Sequence, residues 1–208
     1  MFEVEFRCRF NTAGEAYHAI PFLRSCLGRE VPWKSTLYGL KLFQSGKLLR
    51  VGEADEGGKT HYYIAWKGPD TGKFCNIRQE VEDDITSGVA NSSVLSLLGG
   101  KPNIQNKDEA IQELERLGYH AFMSWSGNDI YGFSKPHNVK LKLMYGTILK
   151  WPVIVEMEKM AATEEEAVKC EKELYKLSRE NRLQEYIFKE EPPQLLYEKV
   201  FGGGVKAD

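Results

Sequence analysis

The sequence lacks any long apolar run. No stretch approaches the roughly 18–20 apolar residues that a transmembrane helix needs. The first ten residues alternate between apolar and charged side chains, which is typical of a strand rather than a signal peptide. We therefore expect no membrane partner and a cytoplasmic protein.

Cysteine and histidine are both scarce, with four of each among 208 residues. Disulfide frameworks and zinc sites usually show closely spaced ligands, and the chain has no Cys-x-x-Cys pair. We predict reduced thiols and no histidine-based zinc site. The four cysteines are Cys8, Cys26, Cys75 and Cys170.

The chain also lacks an excess of either charge, with 28 basic and 30 acidic residues. This balance excludes a protein that binds nucleic acid through an overall positive charge, so nucleic acid is not an expected partner. A local basic channel is compatible with this near-neutral charge balance.

The N-terminal segment shows the clearest pattern of the sequence. Phe2, Val4, Phe6, Cys8 and Phe10 alternate with two acids and then two bases. Period-two alternation predicts a strand with one apolar face. The other face has two interpretations: a solvated surface, or a polar interior.

Pairs of glutamates in the spacing Glu-x-Glu recur along the chain. They are Glu3 and Glu5, Glu80 and Glu82, and Glu156 and Glu158. Carboxylates paired across a sheet repel one another, which water screens at a surface but cations must offset in a concave interior. The recurrence therefore favours an interior that holds cations.

Several local signals predict the remaining elements. Capping boxes begin at Thr12 and Thr163, and a helix is predicted from Asp108 to Leu117. Turn residues predict hairpins at 69–72 and at Ser126-Gly127-Asn128-Asp129, and further strands are predicted at 138–149 and 151–158.

We interpret the whole chain, 1–208, as one domain, since a single barrel often reaches this length. A first half (1–88) and a second half (108–182) each supply a helix and several strands. The loose segment 89–107 links them, and 183–208 form a C-terminal extension.

Taken together, the motifs resemble the CYTH superfamily, the triphosphate-tunnel enzymes that include class IV adenylyl cyclases and thiamine triphosphatases. They occur in that family's order and span nearly the whole chain: Glu3-x-Glu5-x-Arg7, Leu49-Arg50, Trp66-Lys67-Gly68-Pro69, Arg78-x-Glu80-x-Glu82 and Val155-Glu156-Met157-Glu158. The resemblance implies an α+β fold: a closed antiparallel β-barrel of about eight strands, flanked by helices and built from two similar halves.

The resemblance also implies a site in which bases grip phosphate and acids hold Mg²⁺ or Mn²⁺. The implied phosphate-binding residues are Arg7, Arg50, Lys67 and Arg78, of which Arg7 and Lys67 are the candidate catalytic residues. Lys140 and Lys142 are added as candidates that would replace charge missing from the family pattern. The implied metal ligands are Glu3, Glu5, Glu80, Glu82, Glu156 and Glu158. Such a site hydrolyses the terminal phosphate of ATP, thiamine triphosphate or tripolyphosphate, or cyclises ATP.

The chain departs from the family pattern at several positions. Arg7 stands where the family usually has lysine, and Gly52 where a second arginine is often found. Ser126 and Asn128 fall where the second half usually carries a Lys-x-Arg pair, and Met144 or Tyr145 where an acid is common. Lys140 and Lys142 either restore the missing charge or form an exposed lysine face.

The sequence is compatible with two functions. One is metal-dependent turnover of a triphosphate small molecule. The other is a catalytically weak or inactive module that binds nucleotide or another polyanion. Homodimer formation is compatible with both.

Overall fold

The computed structural model describes residues 1–145 and 151–202. The end of the strand predicted at 138–149 and the last residues of the C-terminal extension, 203–208, lie outside them. Among the described helices, none combines the length and apolarity that crossing a bilayer requires.

Strands dominate the described residues. They are β1 (Phe2–Phe10), β2 (Leu27–Tyr38), β3 (Leu48–Asp55), β4 (Thr60–Lys67), β5 (Asn76–Asp84), β6 (Ala121–Ser134), β7 (Val139–Tyr145), β8 (Val153–Ala161) and β9 (Ile187–Phe188). The helices are α1 (Ala13–Ala19), α2 (Leu23–Cys26), α3 (Leu40–Gln44), α4 (Ser93–Leu97), α5 (Lys107–Arg116), α6 (Glu164–Glu180) and α7 (Pro192–Phe201).

All the strands belong to one sheet, in the order β5-β4-β3-β2-β6-β7-β8-β1-β9. An additional pairing between β5 and β1 closes eight of them into a barrel, while β9 pairs with β1 alone. The predicted α+β fold, a closed antiparallel barrel with flanking helices, is confirmed.

The chain divides into two compact units that differ from the predicted halves. The first unit consists of Met1–Glu30, Asp70–Arg78 and the described residues from Asn128 onwards. The second consists of Val31–Pro69 and Gln79–Gly127. Long strands such as β5 and β6 contribute a segment to each unit.

In the first unit the apolar face of β1 packs beneath α1 and α6. Phe6 and Cys8 share a buried cluster with Ala16 of α1 and with Leu174 of α6. Both helices begin at the predicted capping boxes, where Thr12 accepts a hydrogen bond from the backbone of Glu15 and Thr163 accepts one from that of Glu166. We call the opposite face of the sheet, away from these helices, its inner face.

In the second unit β3 and β4 pack beneath α4 and α5 in the same manner. Val51 and Ile64 share a buried cluster with Leu95 of α4 and Leu114 of α5. Asn106 caps α5 by accepting a hydrogen bond from the backbone of Glu109. The helix predicted at 108–117 is therefore confirmed within a residue at each end.

The hairpin predicted at Ser126–Asp129 is wrong, because β6 continues through it. A Cβ atom at Gly127 would lie 3.1 Å from Cζ2 of Trp33, so the absence of a side chain makes room for the indole. Trp33 also packs edge-on against Trp125, with ring centroids 5.7 Å apart. Glycine serves here as a close-packing residue within a strand.

Glu113 links α5 to the preceding loop and gives a pH-dependent prediction. Its carboxylate accepts hydrogen bonds from the backbone of Lys101 at 2.5 Å and from Nε of Arg116 at 2.7 Å. Chiefly through the Arg116 hydrogen bond, its pKa falls from 4.5 to about 2. Since the folded pKa is depressed, the stabilisation is present above pH 4.5 and is lost as the pH falls towards 2.

We therefore expect Glu113→Gln to flatten the loss of unfolding free energy between pH 4.5 and 2 relative to the wild type. Urea unfolding at a series of pH values measures this slope. Exposed Glu115 on the same helix supplies the matched control, Glu115→Gln. An unchanged slope in Glu113→Gln would contradict the assignment.

Candidate functional site: buried ion pairs on the inner face

The charged face of β1 is buried. Glu3, Glu5 and Arg7 expose 6%, 2% and 1% of their surface, so this face is not a solvated outer surface. Burying charges in this way is costly unless they are paired and hydrogen-bonded. The partners of these side chains therefore define the site.

Arg7 is the centre of the ion-pair network in the first unit. Its Nε donates to Oε1 of Glu156 at 2.7 Å, and its Nη2 donates to Oε2 of Glu191 at 2.9 Å and to Glu5. Burial opposes the charged form of Arg7, but attraction by Glu191, Glu5 and Glu156 outweighs it and raises the pKa. Arg7 is therefore a permanent cation held by three carboxylates.

Lys142 of β7 extends this network. Its Nζ lies 2.6 Å from Oε2 of Glu156 and 3.8 Å from Oδ2 of Asp129. Burial works against charge on both Lys142 and Glu156, yet their attraction prevails. It raises the pKa of Lys142 and, together with Arg7, lowers that of Glu156. Both groups are therefore ionised.

Lys140 lies one inner-face position further along β7. Its Nζ lies 2.9 Å from Oε1 of Glu158, the residue directly across the sheet. Its side chain is 57% exposed, against 26% for Lys142. The structure thus places both lysines on the inner face beside the Glu156-x-Glu158 pair, and Lys142 is the more enclosed of the two.

A second group of charges lies in the second unit. Nη2 of Arg50 is 4.0 Å from Glu80 and 3.9 Å from Glu82, and Nζ of Lys67 is 3.4 Å from Glu80. The register sets Arg50, Ala65 and Glu82 in one row across three strands. Because Ala65 has a short side chain, Arg50 can reach across it.

An aromatic ring covers Arg50. The guanidinium carbon lies 5.2 Å from the ring centroid of Tyr63, a cation–π distance. A Cβ atom at Gly52 would overlap that ring. The glycine that stands where a second arginine was expected therefore makes room for Tyr63.

Three contributors were missed by sequence reasoning. Asp129 lies 4% exposed beside Lys142, although it was assigned to a turn. Glu191 and Asn76 lie beside Arg7 and Arg78, and Nδ2 of Asn76 is 3.3 Å from Oε1 of Glu191. The one available signal was that Glu191 directly precedes Pro192-Pro193, a helix start at which an acid is favoured.

Five of the six predicted metal ligands are arranged as counter-ions of basic side chains. Glu5, Glu156, Glu80, Glu82 and Glu158 each have a basic nitrogen within 4.0 Å. Across residues 1–145 and 151–202, no three His, Cys, Asp or Glu side chains are grouped so as to hold a metal ion. In this structure these five carboxylates therefore neutralise basic side chains.

Comparison with known proteins gives similarity in structure alone. No family model and no curated protein sequence matches the chain. Protein PH1819 of Pyrococcus horikoshii superposes with a TM-score of 0.71 at 18% identity, over 95% of this chain and 99% of that one.

Two further neighbours share the fold. A provisionally assigned adenylate cyclase of Vibrio parahaemolyticus gives a TM-score of 0.65 at 17% identity, over 94% of this chain and 98% of that one. A chain of the Schizosaccharomyces pombe Mediator head module gives 0.54 at 14% identity, over 86% and 94%. This chain therefore shares its fold with these three proteins.

Proposed function

We propose that the protein binds a small molecule carrying a triphosphate, through the basic side chains of the inner face. The observation that carries this proposal is the buried cation Arg7, with Lys142 and Arg78 within the same network of ion pairs. A guanidinium presents a planar fork to two phosphate oxygens, while an ammonium acts as a compact charge.

Charge balance supports a polyanionic ligand. In this structure carboxylates neutralise every one of these bases. A triphosphate, with about four negative charges, would take over part of that role as the carboxylates turn away or are bridged by cations. Lys140 is a further candidate phosphate ligand of the first unit. The roles of Arg50 and Lys67 in the second unit stay predictions.

The fold agrees with this proposal, since a neighbour with the same architecture is provisionally an adenylate cyclase. Turnover of ATP, thiamine triphosphate or tripolyphosphate, with Mg²⁺ or Mn²⁺ and with Arg7 and Lys67 as catalytic residues, stays a prediction. A second candidate is a module that binds the polyanion without turning it over, since fold does not dictate function. The carboxylate–cation pairs favour it because they occupy the carboxylates that a catalytic metal would use.

Thermal unfolding with tripolyphosphate, ATP and thiamine triphosphate tests the proposal. A ligand at a hundred times its Kd stabilises by about 2.7 kcal/mol, which raises the Tm of a protein of this size by roughly 5–11 °C. Repeating each titration with EDTA, Mg²⁺ or Mn²⁺ shows whether binding needs a metal. Phosphate release and cyclic AMP formation then separate the enzyme from the binding module.

Lys142→Gln is expected to weaken triphosphate binding by about tenfold or more, because a buried charge-assisted contact is lost. The matched control is Lys176→Gln, on the exposed surface of α6. If no triphosphate raised the wild-type Tm under any metal condition, the function would be wrong. Equal affinities for the two variants would show that the ligand binds elsewhere.

A further inference from the structure

Glu191 was not among the predicted site residues, yet its carboxylate lies between two of them, Arg7 and Arg78. It lies 8% exposed, with Oε2 at 2.9 Å from Nη2 of Arg7. Its Oε1 lies 3.0 Å from Nε of Arg78 and 3.3 Å from Nδ2 of Asn76. Two arginines and an amide thus surround one anionic group, which is the chemistry of a phosphate or carboxylate site.

One donor of Arg7 is left over. Arg7 is nine-tenths buried or more, and within the described residues its Nη1 has no hydrogen-bond acceptor. Both oxygens of Glu191 already face other donors. A terminal phosphate has three non-bridging oxygens, so it can meet the donors that Glu191 meets and supply one more acceptor.

The segment that carries Glu191 is not one of the eight barrel strands. Glu191 stands at the N-terminal cap of α7, three residues after the two-residue strand β9. β9 pairs with β1 at two positions, and Leu195 of α7 packs in a small cluster with Met144 and Ile154. Displacing the segment would break these contacts but none of the pairings among the eight barrel strands.

Resting on the proposed function, we propose that Glu191 is an internal competitor that occupies a phosphate position of the ligand-free protein. A polyanion displaces its carboxylate from Arg7 and Arg78, and the N-terminal end of α7 moves with it. The apparent association constant for ligand is then the intrinsic constant multiplied by the fraction of ligand-free molecules in which Glu191 is already withdrawn.

Isothermal titration with tripolyphosphate tests this. Glu191→Gln removes the negative charge and keeps the side-chain size, so it is expected to lower the Kd by about tenfold. The neighbouring Glu190 is exposed, and Glu190→Gln makes the same change in net charge, so its Kd is expected to match the wild type. If Glu191 had only a structural role, Glu191→Gln would bind tripolyphosphate more weakly than the wild type or equally well.

The outcomes separate the two proposals. Wild type that binds tripolyphosphate, with Glu191→Gln no tighter than Glu190→Gln, would overturn the competitor role and leave the binding function standing. No binding by any of the three proteins would overturn the binding function itself.

Hydrogen exchange on the wild-type protein gives a second measurement that needs no variant. Saturating tripolyphosphate is expected to speed backbone exchange in residues 187–196 while protection in β1 and β8 rises or stays constant. Unchanged or slower exchange in 187–196 would contradict displacement of this segment, even if Glu191→Gln failed to fold.

Discussion

Replacing Arg7 with methionine is expected to destabilise the protein by roughly 3–5 kcal/mol, because it removes the cation that three buried carboxylates share. Methionine has a similar length, so packing loss contributes little. Urea unfolding at pH 7 measures the change. The same variant is expected to lose binding of tripolyphosphate.

Arg9→Met is the matched control for this change. Arg9 lies on the same face of β1, where its guanidinium packs 4.7 Å from the ring centroid of Trp151. Its loss is expected to cost only about 0.5–1 kcal/mol. Comparable destabilisation by the two variants would show that the ion pairs of Arg7 contribute no more to stability than the contact of Arg9 with Trp151.

Acid gives an independent check on the Arg7 network. The pKa of Glu156 is lowered from 4.5, so its stabilisation is present above pH 4.5 and is lost as the pH falls through the lower, folded value. The difference in unfolding free energy between Arg7→Met and the wild type is therefore expected to become smaller below pH 4.5, where protonated carboxylates need no counter-charge. A difference in unfolding free energy that does not change with pH would indicate lost packing rather than lost charge pairing.

Removing the carboxylate of Glu171 is expected to have the next largest effect. Oε1 of Glu171, on α6, accepts hydrogen bonds from the backbones of Lys73, Phe74 and Cys75 at 2.8, 2.7 and 3.0 Å. Glu171→Ala leaves these donors without their charged acceptor, at a cost of roughly 3 kcal/mol. The loop before β5 is expected to open as a result.

Labelling of Cys75 reports this opening. Burial, followed by the charge of Glu171, raises the pKa of the Cys75 thiol to about 12, so the thiol is unreactive at pH 8. Glu171→Ala is expected to speed alkylation of Cys75, as measured by peptide mass spectrometry. The exposed Glu180→Ala, at the end of α6, is the control. Unchanged Cys75 labelling would mean that Glu171 does not hold the loop.

The fold was predictable because its signals are local. Alternation predicts β1, and capping residues predict α1, α5 and α6, since each depends on side chains a few residues apart. The order of the charged motifs supplied the remaining evidence, the resemblance to one superfamily.

Long-range contacts explain what sequence reasoning missed. β2 was not predicted, because Gly28 and Pro32 interrupt its pattern, and Gly127 was interpreted as a turn residue although it faces Trp33. Glu191 is 184 positions away from Arg7. No local pattern relates two such residues, so the ion pair between them follows only from the closed sheet and the position of α7.

The ring of Tyr63 restricts which side chain β3 can carry at position 52. An arginine at position 52, as in the usual family pattern, would need the space that Tyr63 fills. Gly52→Arg alone therefore forces the ring of Tyr63 away from Arg50, whereas a smaller residue at 63 leaves that space open. By either route, a redesigned version with two arginines on this strand loses the aromatic cover of Arg50.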